Sequence, residues 1–78
     1  MTFKEQLKLE LMVFAINNDF FGYGSTCSKK DNGRYISIVD GEKFSYTATN
    51  LAKEFDTLDE KQKLEILEDY YKEELKLA

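Results

Sequence analysis

Arg34-Tyr35-Ile36-Ser37-Ile38-Val39-Asp40-Gly41-Glu42-Lys43-Phe44-Ser45-Tyr46-Thr47 is the stretch that decides the fold class. Two runs rich in β-branched and aromatic residues flank an Asp-Gly pair, which accepts the backbone of a tight turn, so the segment reads as an antiparallel hairpin over about 34–39 and 42–48. The loop length follows from the faces. A two-residue loop at Asp40-Gly41 pairs Ile38 with Lys43 and Ile36 with Ser45, mixing apolar and polar side chains. A three-residue loop, Val39-Asp40-Gly41, gathers Ile36, Ile38, Phe44 and Tyr46 on one face. It leaves Ser37, Lys43, Ser45 and Thr47, with Tyr35, on the other, and it matches a type I turn followed by a left-handed glycine. The three-residue loop is therefore the expectation.

Upstream of the hairpin, Asp31-Asn32-Gly33 is a turn signal. Phe21, Tyr23, Ser25 and Cys27 alternate with glycines and small polar residues, so a short third strand or an extended loop is expected at about 21–28. Further back, Thr2-Phe3-Lys4-Glu5 has the form of a capping box. A helix follows in which Phe3, Leu7, Leu11 and Phe14 form one stripe and Leu9, Met12, Val13 and Ile16 a second. Two stripes imply burial on both sides of the last two turns, or a face kept for a partner. Asn17-Asn18-Asp19 ends the helix. Downstream, Thr49-Asn50 starts a short helix with Leu51, Phe55 and Leu58 on one side, and Thr57-Leu58-Asp59-Glu60 reads as a second capping box. In the long C-terminal helix, Leu64, Leu67, Tyr71 and Leu75 line one stripe and Ile66, Tyr70 and Leu77 a neighbouring one. The opposite half is charged, with Glu68 and Lys72 spaced for an i,i+4 pair. The expected fold is α+β in a single domain over 1–78: N-terminal helix, small antiparallel sheet, short helix, long C-terminal helix.

The residue types that are missing exclude much chemistry. Of 78 residues none is His, Trp or Pro and one is Cys. That removes any Ser-His-Asp triad, any Cys-His pair, imidazole ligation of zinc, and any internal disulfide. A core of this size supplies only ~3–5 kcal/mol, and domains this small commonly add a staple. Hydrophobic content of 42% and charged content of 33% fit a globular chain. The longest apolar run, Leu11 to Ile16, is far below the ~20 residues of a membrane span. Glu5 and Glu10 stand where a signal peptide needs cationic and apolar residues, and a lone Cys27 fits a reducing interior, so a cytoplasmic, non-membrane protein is expected.

Charge is uneven. Residues 54–74 carry nine acids against three lysines, a net of −6, whereas residues 1–53 are at +1. Glu65, Glu68, Asp69 and Glu73 thus define a candidate acidic surface for a basic partner. A solvated helix face accounts for the same charges, since lysines interleave with the acids. Adjacent helical residues point about 100° apart, so one of Tyr70 and Tyr71 can be core while the other is a rim or interface anchor, and ordinary use of Tyr at a core edge accounts for the pair equally well. Phe20, Phe21 and Tyr23 are further interaction candidates, beside the basic cluster Lys29, Lys30 and Arg34. Aromatics among bases stack single-stranded nucleic acid, but three charges on an acidic chain are few, and a nucleic-acid-binding accessory protein is the least favoured reading. The run Gly22-Tyr23-Gly24-Ser25-Thr26-Cys27-Ser28-Lys29-Lys30 lacks phosphate-loop spacing and no helix follows it. Cys27 has no histidine to activate it, and the paired carboxylates lie on a polar helix face with no pocket to shift them. No cofactor or metal is expected, and the chain reads as non-catalytic.

In its size, its Lys/Glu/Asn/Tyr-rich composition and its lack of catalytic residues, the chain looks like the small acidic proteins that bacteriophages and mobile elements encode to block host machinery, anti-CRISPR proteins among them. The resemblance rests on no motif and carries no residue over. It implies a regulator or inhibitor that works by occluding a partner's surface. The alternative is a small structural subunit whose spare apolar stripes meet across a homodimer.

Overall fold

The computed structural model describes residues 1–74. Its elements are α1 (Phe3–Asn17), β1 (Thr26–Lys29), β2 (Tyr35–Val39), β3 (Glu42–Tyr46), α2 (Ala48–Asp56) and α3 (Glu60–Glu74). The strands form one antiparallel sheet in the order β1-β2-β3, giving the α+β fold expected from the hairpin. The third strand is shorter and later than 21–28. Asp19 turns left-handed at φ 62°, and its carboxylate accepts from the Gly24 N–H at 2.8 Å, which curls residues 20–24 into a loop. Leu75 and Leu77 lie outside the described residues.

The hairpin loop has two residues, not three. Val39 pairs with Glu42, Ile38 with Lys43, Ser37 with Phe44 and Ile36 with Ser45. Asp40 and Gly41 both sit at positive φ, 52° and 80°. That is the type I′ geometry whose twist matches the flanking strands, and it fixes the register before the faces are sorted. The expected faces are therefore exchanged for β2. Ser37, at 1% exposure, turns toward the helices with Tyr35, Val39, Phe44 and Tyr46, whereas Ile38 is left 42% exposed on the outer face.

The capping box of α1 is present: the Glu5 N–H donates to Thr2 Oγ1 at 3.1 Å and the Thr2 N–H to Glu5 Oε1 at 3.2 Å. The Thr2 N–H, and with it the Thr2 hydroxyl at 3.0 Å, donates to Glu5 Oε1 and holds the Glu5 carboxyl below its ordinary range. In the last two turns of α1 both apolar stripes are used within the chain. Met12 and Ile16 meet Leu51 of α2 and Val39 of the sheet, while Phe14 meets Tyr70 of α3 edge-on with ring centroids 5.5 Å apart. Leu9, Leu11, Ala15 and Ile16 are all buried; Phe3 and Leu7 in the first turns stay exposed. The α1–α2 contact is strapped by Lys8 Nζ on Asp56 Oδ1 at 2.7 Å, a bond that lowers the Asp56 pKa. A carboxyl lowered in the folded state adds stability above its unfolded value near pH 4, lost as pH falls through the lowered one.

Two helix starts differ from the sequence expectation. Thr47, not Thr49-Asn50, caps α2, its hydroxyl accepting from the Asn50 N–H at 3.2 Å. Thr57 is the C-cap of α2, where its hydroxyl donates to the Glu54 carbonyl at 2.7 Å. The reciprocal cap of α3 therefore forms two residues later, between Asp59 and Gln62, through bonds of 2.8 and 3.2 Å.

Asn17 has a task beyond ending α1. Its side-chain amide donates to the Cys27 carbonyl at 3.0 Å and accepts from the Cys27 N–H at 2.8 Å, clasping the outer edge of β1 as a further strand would. Asn17→Ala leaves both partly buried backbone groups unpaired, so unfolding in urea should show a loss of about 1–3 kcal/mol. Exchange of the Cys27 amide should accelerate in the same variant.

Candidate interaction surface

On α3, Ile66 at 0% exposure is the side chain that seats the helix on the core, with half-buried Leu67 and Tyr70 beside it. That choice settles the Tyr70-Tyr71 question. Tyr70 packs on Phe14 and its hydroxyl donates to Glu10 Oε2 at 3.4 Å, whereas Tyr71 is 55% exposed. Leu64 is likewise 57% exposed. At i and i+7 the two share one outer stripe, and Glu68 falls between them, four residues after Leu64 and three before Tyr71.

Glu65, Glu68, Asp69 and Glu73 are all exposed. None forms an ion pair with a described residue. Lys72, spaced to pair with Glu68, does not reach it; the pair formed on α3 is Lys63 with Glu60, at 3.6 Å. At about 100° per residue, Glu68 lies within the Leu64–Tyr71 stripe and Glu65 beside Leu64, whereas Asp69 and Glu73 fall on the other flank of α3; none of the four carboxylates is paired with a described lysine. Such a surface can neutralise basic groups around an apolar anchor.

The other sequence candidates are scattered. Phe20 lies 6.5 Å from Phe14 by ring centroids and is half-buried at the end of α1. Phe21 is half-buried too and lines an internal slot with Met12, Ile16, Val39 and Leu51. Only Tyr23 projects, at 95% exposure, from the loop before β1. Lys29 and Lys30 are exposed at the β1–β2 turn beside Asp31, and the Arg34 Nε donates to the Ser45 hydroxyl at 2.7 Å on the sheet's outer face. The bases and the aromatics do not share one stacking platform. Cys27 is buried, and burial pushes its thiol above the ordinary range, so it stays protonated near neutrality. Among the described residues, no three Asp, Glu or Cys side chains converge as a metal site would require, and no helix is long and apolar enough to cross a membrane.

Asn17 and the edge it clasps were not legible as a feature in the sequence, because an Asn at a helix end reads as a terminator. No family model, no curated protein and no solved structure matches this chain.

Proposed function

We propose that this chain is a non-catalytic protein–protein interaction module, a small cytoplasmic regulator or inhibitor that docks the outer face of α3 on a basic protein surface and occludes it. The observation that carries the reading is the exposed Leu64–Tyr71 stripe with Glu68 within it and Glu65 beside it, neither paired with a described lysine, on a helix that also exposes Asp69 and Glu73. Apolar anchors supply affinity, and the surrounding field steers the encounter and selects for positive charge. The resemblance to phage-encoded inhibitors, anti-CRISPR proteins included, supports occlusion as the mode of action.

The test is capture from lysate of the source cell with the immobilised chain, run beside a Glu68→Lys, Asp69→Lys double variant. A protein retained by the parent and lost by the charge-reversed form, with retention weakening as salt rises, is the expected result. Equal retention by both forms would exclude α3's acidic face as the docking surface. A second reading, a homodimeric subunit, draws on Phe3 at 85% and Leu7 at 37% exposure, one turn apart on α1.

A further inference from the structure

The sheet has two outer edges, and they are finished differently. On β1, Asn17 occupies both the N–H and the C=O of Cys27. On β3 the pairing pattern fixes which groups point outward. Val39 and Glu42 flank the two-residue loop and exchange backbone bonds, and in an antiparallel ladder bonded pairs alternate with unbonded ones. Phe44 and Tyr46 therefore bond inward to Ser37 and Tyr35, and Lys43 and Ser45 aim their N–H and C=O groups away from the sheet. The phase is checked independently on the far side, where the same alternation turns Cys27 outward and Asn17 is found bonded to it. Lys43 and Ser45 are exposed, and no described residue bonds to their backbone groups.

Beneath this open edge lies a slot of about 280 Å³. Its walls are Phe44 and Tyr46 of β3 and Leu51 and Leu58 of the α2 side, with Ser37 and Phe21 also lining it. The two β3 rings stack at 6.4 Å, and Phe44 is still 39% exposed. Past Tyr46, Glu54 and Thr57 the slot continues into a shallow recess reaching Asn50 and Lys53. Unpaired extended backbone beside an apolar slot is the arrangement that strand addition needs: main-chain bonds hold the incoming segment and alternate side chains are read by pockets.

We propose that β3 is a strand-addition site for an extended segment of a partner protein, which pairs with the Lys43 and Ser45 backbone and sends one apolar side chain into the slot between β3 and α2. Glu42, on the same face as Phe44, and Glu54, at the mouth of the slot, select a lysine or arginine two residues from that apolar side chain. A second copy of the chain does not meet these needs. Paired β3 to β3 about a two-fold, each copy offers Phe44, which already walls its own slot and so cannot fill its neighbour's. The site is separate from α3's acidic face and does not depend on it.

The test uses the full ¹⁵N-labelled chain titrated with acetylated heptapeptides Thr-Lys-Thr-X-Thr-Lys-Thr, where X is Val, Leu, Met or Phe. With at least one X, the Lys43 and Ser45 amides should shift and their solvent exchange slow by about tenfold or more. Ser45→Pro and Lys43→Pro each remove an outward N–H at an edge, where proline is tolerated, and both should abolish the response. The proposal is overturned if the two amides stay unmoved at millimolar peptide for every X, or if the peptides act equally on both proline variants. It is also overturned if the two amides become protected without peptide as protein concentration rises, which would assign the edge to a second copy.

Discussion

Leu11→Ala should bring the chain close to its unfolding midpoint at room temperature, with thermal or urea unfolding followed by circular dichroism showing a loss of roughly 2–5 kcal/mol. Leu11 is 2% exposed on α1, within the single cluster that joins α1 to Leu51 and Phe55 of α2 and Ile66 of α3. Truncation there removes transfer energy and leaves a cavity that three helices must close together. In a domain whose core supplies only ~3–5 kcal/mol, one such deletion consumes most of the margin. Leu64→Ala is the matching control. The residue type is the same, but at 57% exposure its loss should fall within about 0.5 kcal/mol. Equal losses at the two positions would mean that α3 does not seat on the core through Ile66.

Tyr71→Ala should weaken binding to the captured basic partner by about 2 kcal/mol or more, roughly thirtyfold, measured by calorimetry, while the unfolding midpoint stays close to the parent's. The separation follows from its position: Tyr71 is 55% exposed beside Leu64, so it is free to insert into a partner. Tyr70→Ala should do the reverse. It removes the edge-on contact with Phe14 at 5.5 Å and the bond to Glu10, and the cost appears in stability. If Tyr70→Ala and Tyr71→Ala weakened binding alike with stability untouched, the orientation of α3 described above would be wrong.

These contrasts show where the sequence was readable and where it was not. Helical periodicity and capping placed α1 well, because Thr2 and Glu5 satisfy each other locally and Asn17-Asn18-Asp19 offers no continuation. The two stripes of α1 were legible, but not what covers them. The chain's own α2, α3 and sheet supply that cover, so the double stripe does not by itself call for a partner. In the hairpin, the side chains of Ile36 and Ile38 outweighed Asp40-Gly41 in the sequence reading, and the turn prevailed in the structure. A type I′ loop sets register through backbone twist, and the inner face is then filled by aromatic Tyr35, Phe44 and Tyr46 around small Ser37. The caps of α2 and α3 were ambiguous because Thr47, Thr49, Thr57 and Asp59 all have capping chemistry, and only the length of the preceding element selects among them. Of the candidate surface, the acidic run could be counted from sequence. Which tyrosine faced outward could not, since that depends on Ile66 choosing the buried side. The Asn17 clasp and the open β3 edge are products of register alone.

On the proposed function, the chain closes its own core as a single copy and keeps the outer face of α3 for a different protein. Sedimentation equilibrium at micromolar concentration, with amide exchange on the same sample, tests it most directly. A particle of 9.1 kDa with slow exchange in the last two turns of α1 and an exchange rate on α3 independent of protein concentration is the expected result. A stable particle of twice that mass, in which assembly slows exchange on α3, would contradict it.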